Sequence, residues 1–456
     1  MELAVVVLAA GQGKRMHSDT PKVLHRLGGR ALLSHVLDAA RALAPQQIVV
    51  VYGHGGEEVR AAFPDADLTW IEQRERLGTG HALQQALPAV PDGATILVLS
   101  GDVPLISVAT LQQLVAAGMG GRLAILTTEL GDAKGYGRVV REAKSRRVER
   151  IVEERDASPG QREIREWYTG MLAASRAQLE KWLSRTRNRN AQGEYYLTDV
   201  IALAATDGVE VASAPAADLE EVQGVNGRGD LARLERALQR RNAARLLEAG
   251  VALADPERID IRGALACGRD VAIDVNCVFE GDVKLGDGVT VGPNCILRNS
   301  SVAAGSEIHA FTLMDNAEVG ARCRIGPYAR LRPGASLDEE VHIGNFVEVK
   351  ASRIGAGSKA NHLAYVGDSV VGMRVNIGAG TITCNYDGVN KHRTVIEDDC
   401  FIGSDATLVA PVTIAKGSYI GAGSTINKDT PPGQLTLARA KQVSLAGWKP
   451  PRKEKR

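Results

Sequence analysis

The sequence is poor in aromatic residues, has no long apolar run and carries almost no net charge. Aromatic side chains make up 4% of its 456 residues, and the formal net charge is +1. This balance creates no strong field for nucleic acid or an anionic membrane, and no run approaches the roughly 18 apolar residues of a membrane helix. The N-terminus also lacks the basic start of a secretory signal. We therefore expect a cytoplasmic protein that binds neither nucleic acid nor membrane, with the basic patch at 449–456 as a solvated chain end.

All six cysteines lie in the C-terminal half of the chain, at positions 267, 277, 295, 323, 384 and 400. They form none of the CxxC pairs of a zinc site. Without a secretory signal, buried and reduced thiols are the expected state. Glycine, by contrast, is abundant at 49 residues, which suits a solenoid filled by small aliphatic side chains.

Residues 1–227 predict an α/β Rossmann-like domain. Short continuous apolar runs indicate strands buried on both faces, as in a parallel sheet; they are Leu3–Leu8, Ile48–Tyr52, Thr95–Leu99 and Leu123–Thr127. Helical patterns such as Ala31–Leu43 and Thr110–Ala117 lie between these runs. Alternating strands and helices are typical of an α/β fold with right-handed crossovers.

A helical arm is predicted between two domains, at 228–250. Leucines and alanines form an apolar stripe there among arginines and glutamates, and Gly250 is expected to end the helix. The second domain would then span 251–456.

The second domain shows a repeat of six residues, which neither a helix nor an ordinary strand produces. A triangular coil of roughly 18 residues per turn, with one aliphatic corner per face, gives this period. The in-step positions are Cys267, Ile273, Phe279, Leu285, Val291 and Leu297, then Val302, Ile308 and Met314, then Val319, Ile325, Leu331, Leu337, Ile343 and Val349, and finally Leu408, Ile414, Ile420 and Ile426. We therefore predict a left-handed parallel β-helix of hexapeptide repeats, interrupted at Cys384–Thr394, where an insertion would form a functional loop.

A glycine-rich loop follows the first predicted strand. It is not a Walker A loop, because the GK[ST] ending is missing, and it is not a dinucleotide fingerprint, because Met16 stands where the third glycine would fall. Gly11 and Gly13 allow backbone N–H groups to approach a phosphate closely, and Arg15 and Lys22 supply positive charge nearby.

The run LAAGQGKRMHSDTPKVLHRLGG, at 8–29, resembles the G-x-G-x-R…P-K signature of sugar-1-phosphate nucleotidyltransferases. By this resemblance Arg15 and Lys22 are catalytic cations that stabilise the phosphates while pyrophosphate is displaced. The segment QRERLGTGHA, at 73–82, resembles the uracil-selecting segment of that family, and GYGR at 135–138, Glu153 and YTG at 168–170 match its sugar-binding segments. The resemblance assigns UTP and sugar-nucleotide binding to Leu8, Ala9, Ala10, Gly11, Gly13, Lys22, Gln73, Gly78, Thr79, Ser100, Gly101, Asp102, Gly137, Glu153, Tyr168 and Asn226.

A magnesium site is expected at Asp102 and Asn226. Asp102 lies in SGDVPL, at the carboxyl end of a predicted strand, where open α/β sheets bind ligands, and Asn226 lies in VQGVN. Carboxylate and amide oxygens suit Mg²⁺, which completes its octahedron with phosphate oxygens and water.

Two positions depart from the family pattern. Tyr168 stands where the family has the asparagine of N-T-G, and Ser100 stands where it often has an aromatic residue before GD. Tyr168 retains a hydrogen-bond donor, but its larger side chain changes the sugar pocket.

Polar residues cluster around the broken coil, and a β-helix needs none of them to fold. Arg332 and Lys350 are 18 residues apart, or one coil, so they should stack on the same face. A lone histidine is more often structural, but His362 lies in NHLAYVGDS beside these aligned cations. This context favours a catalytic role for His362.

The segments ASRIGAGSKANHLAYVGDS and NIGAGTITCNYDGVNKHRT resemble a family of bacterial bifunctional enzymes. These enzymes combine N-acetylglucosamine-1-phosphate uridylyltransferase with glucosamine-1-phosphate N-acetyltransferase. The resemblance implies Mg²⁺ as cofactor, UTP and acetyl-CoA as co-substrates, both sugar phosphates as substrates and a homotrimer with acyl sites between subunits. It makes His362 the general base and assigns the sugar phosphate to Arg332, Lys350, Tyr365, Asn376 and Lys391, and acetyl-CoA to Ala379, Asn385, Tyr386, Ser404, Ala422 and Arg439.

Three other interpretations remain open at this point. The β-helix could serve only the assembly or regulation of a single nucleotidyltransferase. It could also be a metalloenzyme with zinc on His309, His342 and His362, although their spacings are not one coil and cations surround them. A pure scaffold would leave the N-terminal motifs without a role.

Overall fold

A computed structural model of the chain describes residues 2–11, 13–53, 55–129 and 131–451. The chain forms two compact units, Met1–Leu238 and Gln239–Arg456. Most of the predicted basic chain end, 452–456, lies outside the described residues. Within them, no helix has both the length and the apolar character needed to cross a bilayer.

The first unit contains a twisted sheet between two apolar layers. Its main strands lie side by side in the order Val211–Pro215, Leu123–Thr128, Trp167–Ser175, Thr95–Ser100, Leu3–Leu8, Gln47–Tyr52 and Leu68–Glu72. Successive residues of the central strand point to opposite layers. Val5 and Val7 belong to one apolar cluster, and Ala4 and Val6 belong to the other. The continuous apolar runs are therefore strands buried on both faces, as predicted.

One of the seven main strands runs against the other six, which the sequence did not predict. Trp167–Ser175 pairs antiparallel with Thr95–Ser100 and with Leu123–Thr128. It also pairs antiparallel with Gly137–Arg141, which in turn pairs antiparallel with Val148–Val152. The sheet is therefore mixed, and its antiparallel branch carries Tyr168 towards the carboxyl ends of the parallel strands.

Helices cover the sheet on both sides. The α-helices of this unit are Leu32–Arg41, Gly56–Ala61, Thr79–Ala86, Val108–Ala117, Pro159–Arg162, Arg176–Leu183, Asp199–Thr206 and Leu219–Val222. Short 3₁₀ turns occur at Lys14–Met16, Lys22–Leu24 and Leu87–Ala89, and a small hairpin pairs Arg26–Leu27 with Arg30–Ala31. The helix predicted at Thr110–Ala117 begins two residues earlier, because Ser107 Oγ caps it by accepting the N–H of Thr110 at 3.2 Å.

A long helix, Arg228–Glu248, occupies the segment predicted as an arm. In the first unit, its residues Leu234 and Ala237 pack with Met16 and Leu27. It ends before Gly250, whose φ of +88° is the left-handed conformation that glycine adopts without strain.

The second unit is a left-handed parallel β-helix with three faces. One face stacks Ala252–Leu253, Ala272–Ile273, Thr290–Val291, Glu307–Ile308, Arg324–Ile325, His342–Asn345, Lys359–His362, Asn376–Ile377, Phe401–Ile402, Tyr419–Ile420 and Leu435–Thr436. The second stacks Ile296–Arg298, Leu313–Asp315, Arg330–Leu331, Glu348–Lys350, Tyr365–Gly367, Ile382–Cys384, Thr407–Val409 and Thr425–Ile426. The third stacks Ser301–Val302, Glu318–Val319, Ser336–Leu337, Arg353–Ile354, Ser369–Val371, Thr394–Ile396 and Val412–Ile414, and the long strands Ile259–Cys267 and Cys277–Leu285 span the second and third faces.

The aliphatic ladder fills the interior of this β-helix. The predicted positions are buried, except that Cys267 is only partly buried. The ladder also runs through the stretch that the sequence left blank, where the residues in step are Ile354, Ala360, Val366, Val371, Ile377, Thr383, Ile396 and Ile402. The insertion at Cys384–Thr394 is therefore an interruption between continuous coils.

Candidate functional sites

The first unit contains a cavity of about 650 Å³ at the carboxyl ends of its parallel strands. Thirteen of the predicted nucleotide-binding residues line it, namely Leu8, Ala9, Ala10, Gly11, Lys22, Gln73, Gly78, Thr79, Ser100, Asp102, Gly137, Glu153 and Tyr168. They come from motifs spread over 160 positions of the sequence, and the sheet brings them together because neighbouring strands end at one edge.

The glycine-rich loop packs closely against the side chain of Lys22. Gly13 has a φ of +62°, and a Cβ added there would lie 2.7 Å from Cβ of Lys22. The Lys22 ammonium contacts the Asp102 carboxylate, and both side chains are mostly buried. Arg15, in the 3₁₀ turn that follows the loop, is exposed and does not line the cavity.

The two predicted metal ligands lie on neighbouring backbone segments. The N–H of Val225 donates to the Asp102 carbonyl at 2.9 Å, so Asn226 follows directly on a residue bonded to Asp102. The N–H of Gly101 donates to the Leu8 carbonyl at 2.9 Å and joins the same segment to the start of the glycine-rich loop. Asn226 and Gly101 support the cavity without lining it. A carboxylate and an amide on neighbouring backbone segments offer the oxygen donors that Mg²⁺ prefers.

The predicted uracil-selecting segment is held by a strand-like contact with Tyr195. The N–H of Tyr195 donates to Leu77 and the N–H of Gly80 donates to Tyr195, at 2.6 and 2.8 Å. A Cβ on Gly78 would lie 2.6 Å from the Tyr195 carbonyl, so this approach requires glycine. Gln73 is buried and donates to the Gly78 carbonyl at 3.0 Å.

The opposite end of the cavity contains Glu153 and Tyr168. Burial raises the pKa of Glu153, although Thr198 donates a hydrogen bond to its Oε1 at 2.9 Å. Tyr168 is 6% exposed, and its hydroxyl is buried with no hydrogen-bond partner among the described residues. Burial, and then the charge of Glu153, raise the pKa of Tyr168 well above its usual range, so the hydroxyl keeps its proton.

The cavity lining also includes Val23, Arg76, Ala82 and Tyr136, which lie inside the predicted segments but had no role of their own assigned. Glu194, Leu197 and Thr198 lie outside every predicted segment. Glu194, Leu197 and Thr198 belong to EYYLTD, a segment that precedes a helix and carries no phosphate-binding glycine. Arg138, by contrast, was grouped with the sugar segments but is buried below the cavity. It donates to the Ala133 carbonyl at 2.6 Å and pairs with Glu154 at 2.9 Å.

In the β-helix, the register places predicted site residues in one column. His362 ends its strand directly opposite Asn345 of the preceding coil. The strand pairings that follow extend this column, which contains Asn345, His362, Ala379, Ser404 and Ala422. Arg439 reaches its end and donates to the Ala422 carbonyl at 2.8 Å. Four residues predicted for acetyl-CoA thus follow the predicted base along one edge of the coils.

A second group gathers around Asp368. Lys350 donates to the Asp368 carboxylate at 3.1 Å, and the Asn385 amide also donates to it. The Asn385 amide lies 3.4 Å from the Tyr365 hydroxyl. Burial works to raise the pKa of Asp368, but the bonds from Lys350 and Asn385 outweigh it, and the pKa is lowered. The carboxylate is therefore charged and fixes both donors.

Two more predicted cations border this group. Arg332 stacks one coil before Lys350, as predicted, and donates to Glu348 at 2.8 Å. The neighbouring Lys350 ammonium lowers the pKa of Lys391. A bound anion would relieve this repulsion, which favours a phosphate at this place.

The inserted loop is a tight turn of its own. Tyr386 and Lys391 form an antiparallel bridge, and the Asp387 carboxylate accepts the N–H groups of Val389 and Asn390 at 2.8 and 2.6 Å. His392 Nε2 lies 2.7 Å from the same carboxylate. The loop thereby presents Lys391 and the 61% exposed Tyr386 beside the Asp368 group.

Asn376 lies elsewhere on the β-helix. It is in register with Lys359 and Phe401, and within the described residues no hydrogen bond joins its side chain to the Asp368 group. The zinc alternative gains no support either, because no group of three potential ligands that could hold a metal occurs among the described residues. After burial, the charges of Arg324 and Lys359 lower the pKa of His342, and they would repel a metal cation as well.

Comparison with known proteins extends over the whole chain. The profile of the MobA-like NTP transferase domain matches residues 5–252, that of the GMPPB C-terminal domain matches 261–343, and that of the bacterial transferase hexapeptide matches 393–428. The chain is 60% identical to the bifunctional protein GlmU of Nitrosospira multiformis, covering 99% of this chain and 98% of that one. It is 60% identical to GlmU of Azoarcus sp. over 99% of this chain and 100% of that one, and 59% identical to GlmU of Cupriavidus pinatubonensis over 99% of each. The chain therefore belongs to the GlmU family, bifunctional enzymes with a uridylyltransferase domain and a hexapeptide acetyltransferase domain.

Proposed function

We propose that the two sites described above carry out consecutive reactions on one sugar phosphate. The β-helix site acetylates glucosamine-1-phosphate with acetyl-CoA. The N-terminal cavity then joins N-acetylglucosamine-1-phosphate to UTP and releases pyrophosphate. Both co-substrates are cytoplasmic metabolites, so we place the enzyme in that compartment.

In acetyl transfer, His362 acts as the general base. The sugar amine attacks the thioester carbonyl while one of its protons passes to the imidazole. The C–S bond then breaks, and the imidazolium returns the proton to the departing sulfur of CoA. The column that includes Ala379 and Ser404 lies next to His362 along the coils, so it would hold acetyl-CoA with its thioester near the base. A backbone N–H or the hydroxyl of Ser404 would stabilise the oxyanion.

The sugar phosphate would bind to the cations near Asp368. The Lys350 ammonium lowers the pKa of Lys391, and a phosphate bound by both would offset this effect. Arg332, which stacks on Lys350, adds a third positive charge. Tyr365 and Asn376 would contact the sugar; since Asn376 lies in another column, we infer that it serves a site completed by a neighbouring subunit.

In uridylyl transfer, the N-terminal cavity binds and orients both reactants. The loop at Gly11 would donate N–H groups to the phosphates of UTP, and Gln73 and Gly78 would select the base. Lys22 would stabilise the negative charge that builds up as the α-phosphorus is attacked, and Arg15 would act on the pyrophosphate once UTP is bound. Glu153 and Tyr168 would hold the sugar.

Asp102 and Asn226 would hold a magnesium ion. Their oxygen donors lie on hydrogen-bonded neighbouring segments, and the Lys22 ammonium now contacts the Asp102 carboxylate, as a cation would. When bound, Mg²⁺ would neutralise phosphate charge and align the reacting groups.

We also propose that the β-helix assembles as a homotrimer. Phe311, Tyr328 and Phe346 stack at 4.9 and 5.3 Å on successive coils, and each is about half exposed. We call these three residues the aromatic ladder. Leu363, which follows His362, occupies the next position of the same corner and is 62% exposed. An exposed apolar row of this kind favours burial against another subunit, next to the proposed base.

The observation that carries the proposal is the column in which His362 adjoins the predicted acetyl-CoA residues. We would measure release of free CoA thiol with glucosamine-1-phosphate, and release of pyrophosphate, on the same preparations. His362→Ala should lower CoA release by at least about 100-fold and leave pyrophosphate release unchanged. The control is His309→Ala, a partly exposed histidine on the same face, which should alter neither rate. Full CoA release by His362→Ala would refute the assignment of the base.

A further inference from the structure

The proposed base makes one hydrogen bond that determines its chemistry. Nδ1 of His362 lies 2.7 Å from Oδ1 of Asn345. An amide oxygen can only accept, so Nδ1 must carry the hydrogen in the neutral ring. The lone pair is then on Nε2, the nitrogen that remains available to a substrate.

The fold gives His362 this partner through the register of its coils. Asn345 and His362 end neighbouring strands of the same face and are paired Cα to Cα. The column offers His362 two neighbours, Asn345 on one side and Ala379 on the other. Alanine has no hydrogen-bonding side chain, and Pro327, one coil before Asn345, has none either. Asn345 is therefore the one acceptor that these column neighbours supply.

We propose that Asn345 is a positioning residue for acetyl transfer, because it holds His362 in the tautomer and orientation that expose Nε2 as the base. The proposal rests on the proposed role of His362. A free imidazole favours the opposite tautomer and turns about its χ2 bond, so an unanchored ring would often present the wrong nitrogen. A neutral amide also adds no negative charge next to sites for two phosphate-bearing substrates, whereas a carboxylate would.

Two variants separate orientation from packing. Asn345→Leu keeps the branching and the number of side-chain heavy atoms but removes the acceptor, and Asn345→Asp keeps an acceptor in the same place. Asn345→Leu should lower kcat for CoA release by roughly 10- to 100-fold, part of the 10²–10⁴ that positioned proton transfer supplies, with KM for both substrates within twofold. Asn345→Asp should retain most of the parent kcat. Thr290→Val, which removes a polar group from the same face several coils away, should behave as the parent.

A spectroscopic measurement tests the tautomer itself. With ¹⁵N-labelled histidine in the full-length protein, the His362 signals should show a protonated Nδ1 and a bare Nε2 in the parent. They should shift towards the opposite tautomer in Asn345→Leu. An unchanged kcat, or a loss confined to KM, would overturn the proposal for Asn345 and leave the base assignment standing. Full turnover by His362→Ala would instead refute the base, and the role of Asn345 with it.

Discussion

Thr198 donates its hydroxyl hydrogen to Oε1 of Glu153 at 2.9 Å, within the lining of the N-terminal cavity. The bond favours the charged carboxylate, but burial opposes it more strongly, and the charges of Asp156, Asp199 and Glu194 add to the opposition. The pKa of Glu153 is therefore raised, because its charged form is disfavoured in this cavity.

This shift predicts how stability depends on pH. Because the folded pKa of Glu153 exceeds the unfolded value of about 4.3, the folded state binds the proton more tightly. The resulting stabilisation is fully present below the unfolded pKa and is lost as the pH rises through the folded pKa. Glu153→Gln, which has no such proton, should gain stability over the parent as the pH rises from 4 to 8, measured by calorimetry of the full-length protein. Glu163→Gln, at an exposed site, should follow the parent, and parallel curves for parent and Glu153→Gln would contradict the prediction.

The second prediction for the same cavity concerns the buried hydroxyl of Tyr168. A buried hydroxyl without a partner costs about 1–3 kcal/mol, and this cost ends when a sugar oxygen bonds it. Tyr168→Phe should therefore raise the melting temperature of the unliganded protein slightly. It should also raise KM for N-acetylglucosamine-1-phosphate by about tenfold, with KM for UTP unchanged.

Tyr196→Phe provides the contrast. The Tyr196 hydroxyl lies outside the lining and already bonds Asp156 and Gln192, at 3.2 and 3.0 Å. Its removal should lower the melting temperature and leave sugar kinetics nearly unchanged. If Tyr168→Phe behaved in the same way, the hydroxyl would have a structural role only.

The contact between Lys22 and Asp102 predicts that the two reactions can be separated. Lys22→Met should lower the rate of pyrophosphate release by at least about 100-fold, because a fixed cation at the transferred phosphate is lost, while CoA release continues at the parent rate. Lys14→Met, an exposed lysine in the same loop, serves as the control. Treatment with EDTA should likewise stop pyrophosphate release alone, and restoration by Mg²⁺ would support the ion. Equal loss of both activities would indicate damage to the whole chain.

The thiols of the β-helix should be slow to react. Burial raises the pKa of Cys277 to about 11 and that of Cys295 to about 12, so very little thiolate forms at neutral pH. An alkylating reagent at pH 7.5 should modify the partly buried Cys384 well before either of them, as mapped by mass spectrometry. In denaturant the three should react at similar rates. Early modification of Cys295 in the native protein would contradict this order.

Periodicity predicted the fold of the β-helix wherever large aliphatic side chains occupy the core positions. The six-residue ladder was readable up to Val349, although steps of five already occur at 297–302 and 314–319. Beyond Val349 two more steps of five follow, and Ala360 and Thr383 occupy core positions. The coils close equally well, because a small side chain still packs inside a narrow coil. The strand at Trp167–Ser175 was missed for a different reason: a strand buried on both faces is apolar whether its neighbours are parallel or antiparallel.

The site residues also fall into two groups, those that a sequence motif reveals and those that only the fold reveals. Lys22 and Asp102, which lie on glycine-rich or loop motifs, could be predicted from the sequence because the motif itself carries the chemistry, and both line the cavity. Thr198 and Asn345 could not, since each matters only through a partner that the fold brings near, Glu153 and His362. Arg138 shows the reverse case, a motif residue that is buried and supports the loop from below.

The aromatic ladder leads to the last prediction. Phe311, Tyr328 and Phe346 occupy a corner of successive coils where φ lies between +56° and +60°. In the first coils the same corner carries Asn276 and Asn294, and asparagine adopts this left-handed conformation more readily than an aromatic residue. The later coils therefore have both backbone strain and exposed rings at this corner. Burial of the rings between subunits would compensate for both.

Phe346→Asn should separate these two effects. In a single subunit it should relieve strain of up to about 1 kcal/mol, so the β-helix should fold at least as well. In the assembly it should remove an apolar contact beside His362, shift the oligomer towards smaller species in sedimentation at micromolar concentration, and lower CoA release with it. Asn294→Ala, four coils from His362, serves as the matched change in an early coil and should leave assembly intact. An oligomer that withstands Phe346→Asn with full activity would place the subunit interface on another face of the β-helix.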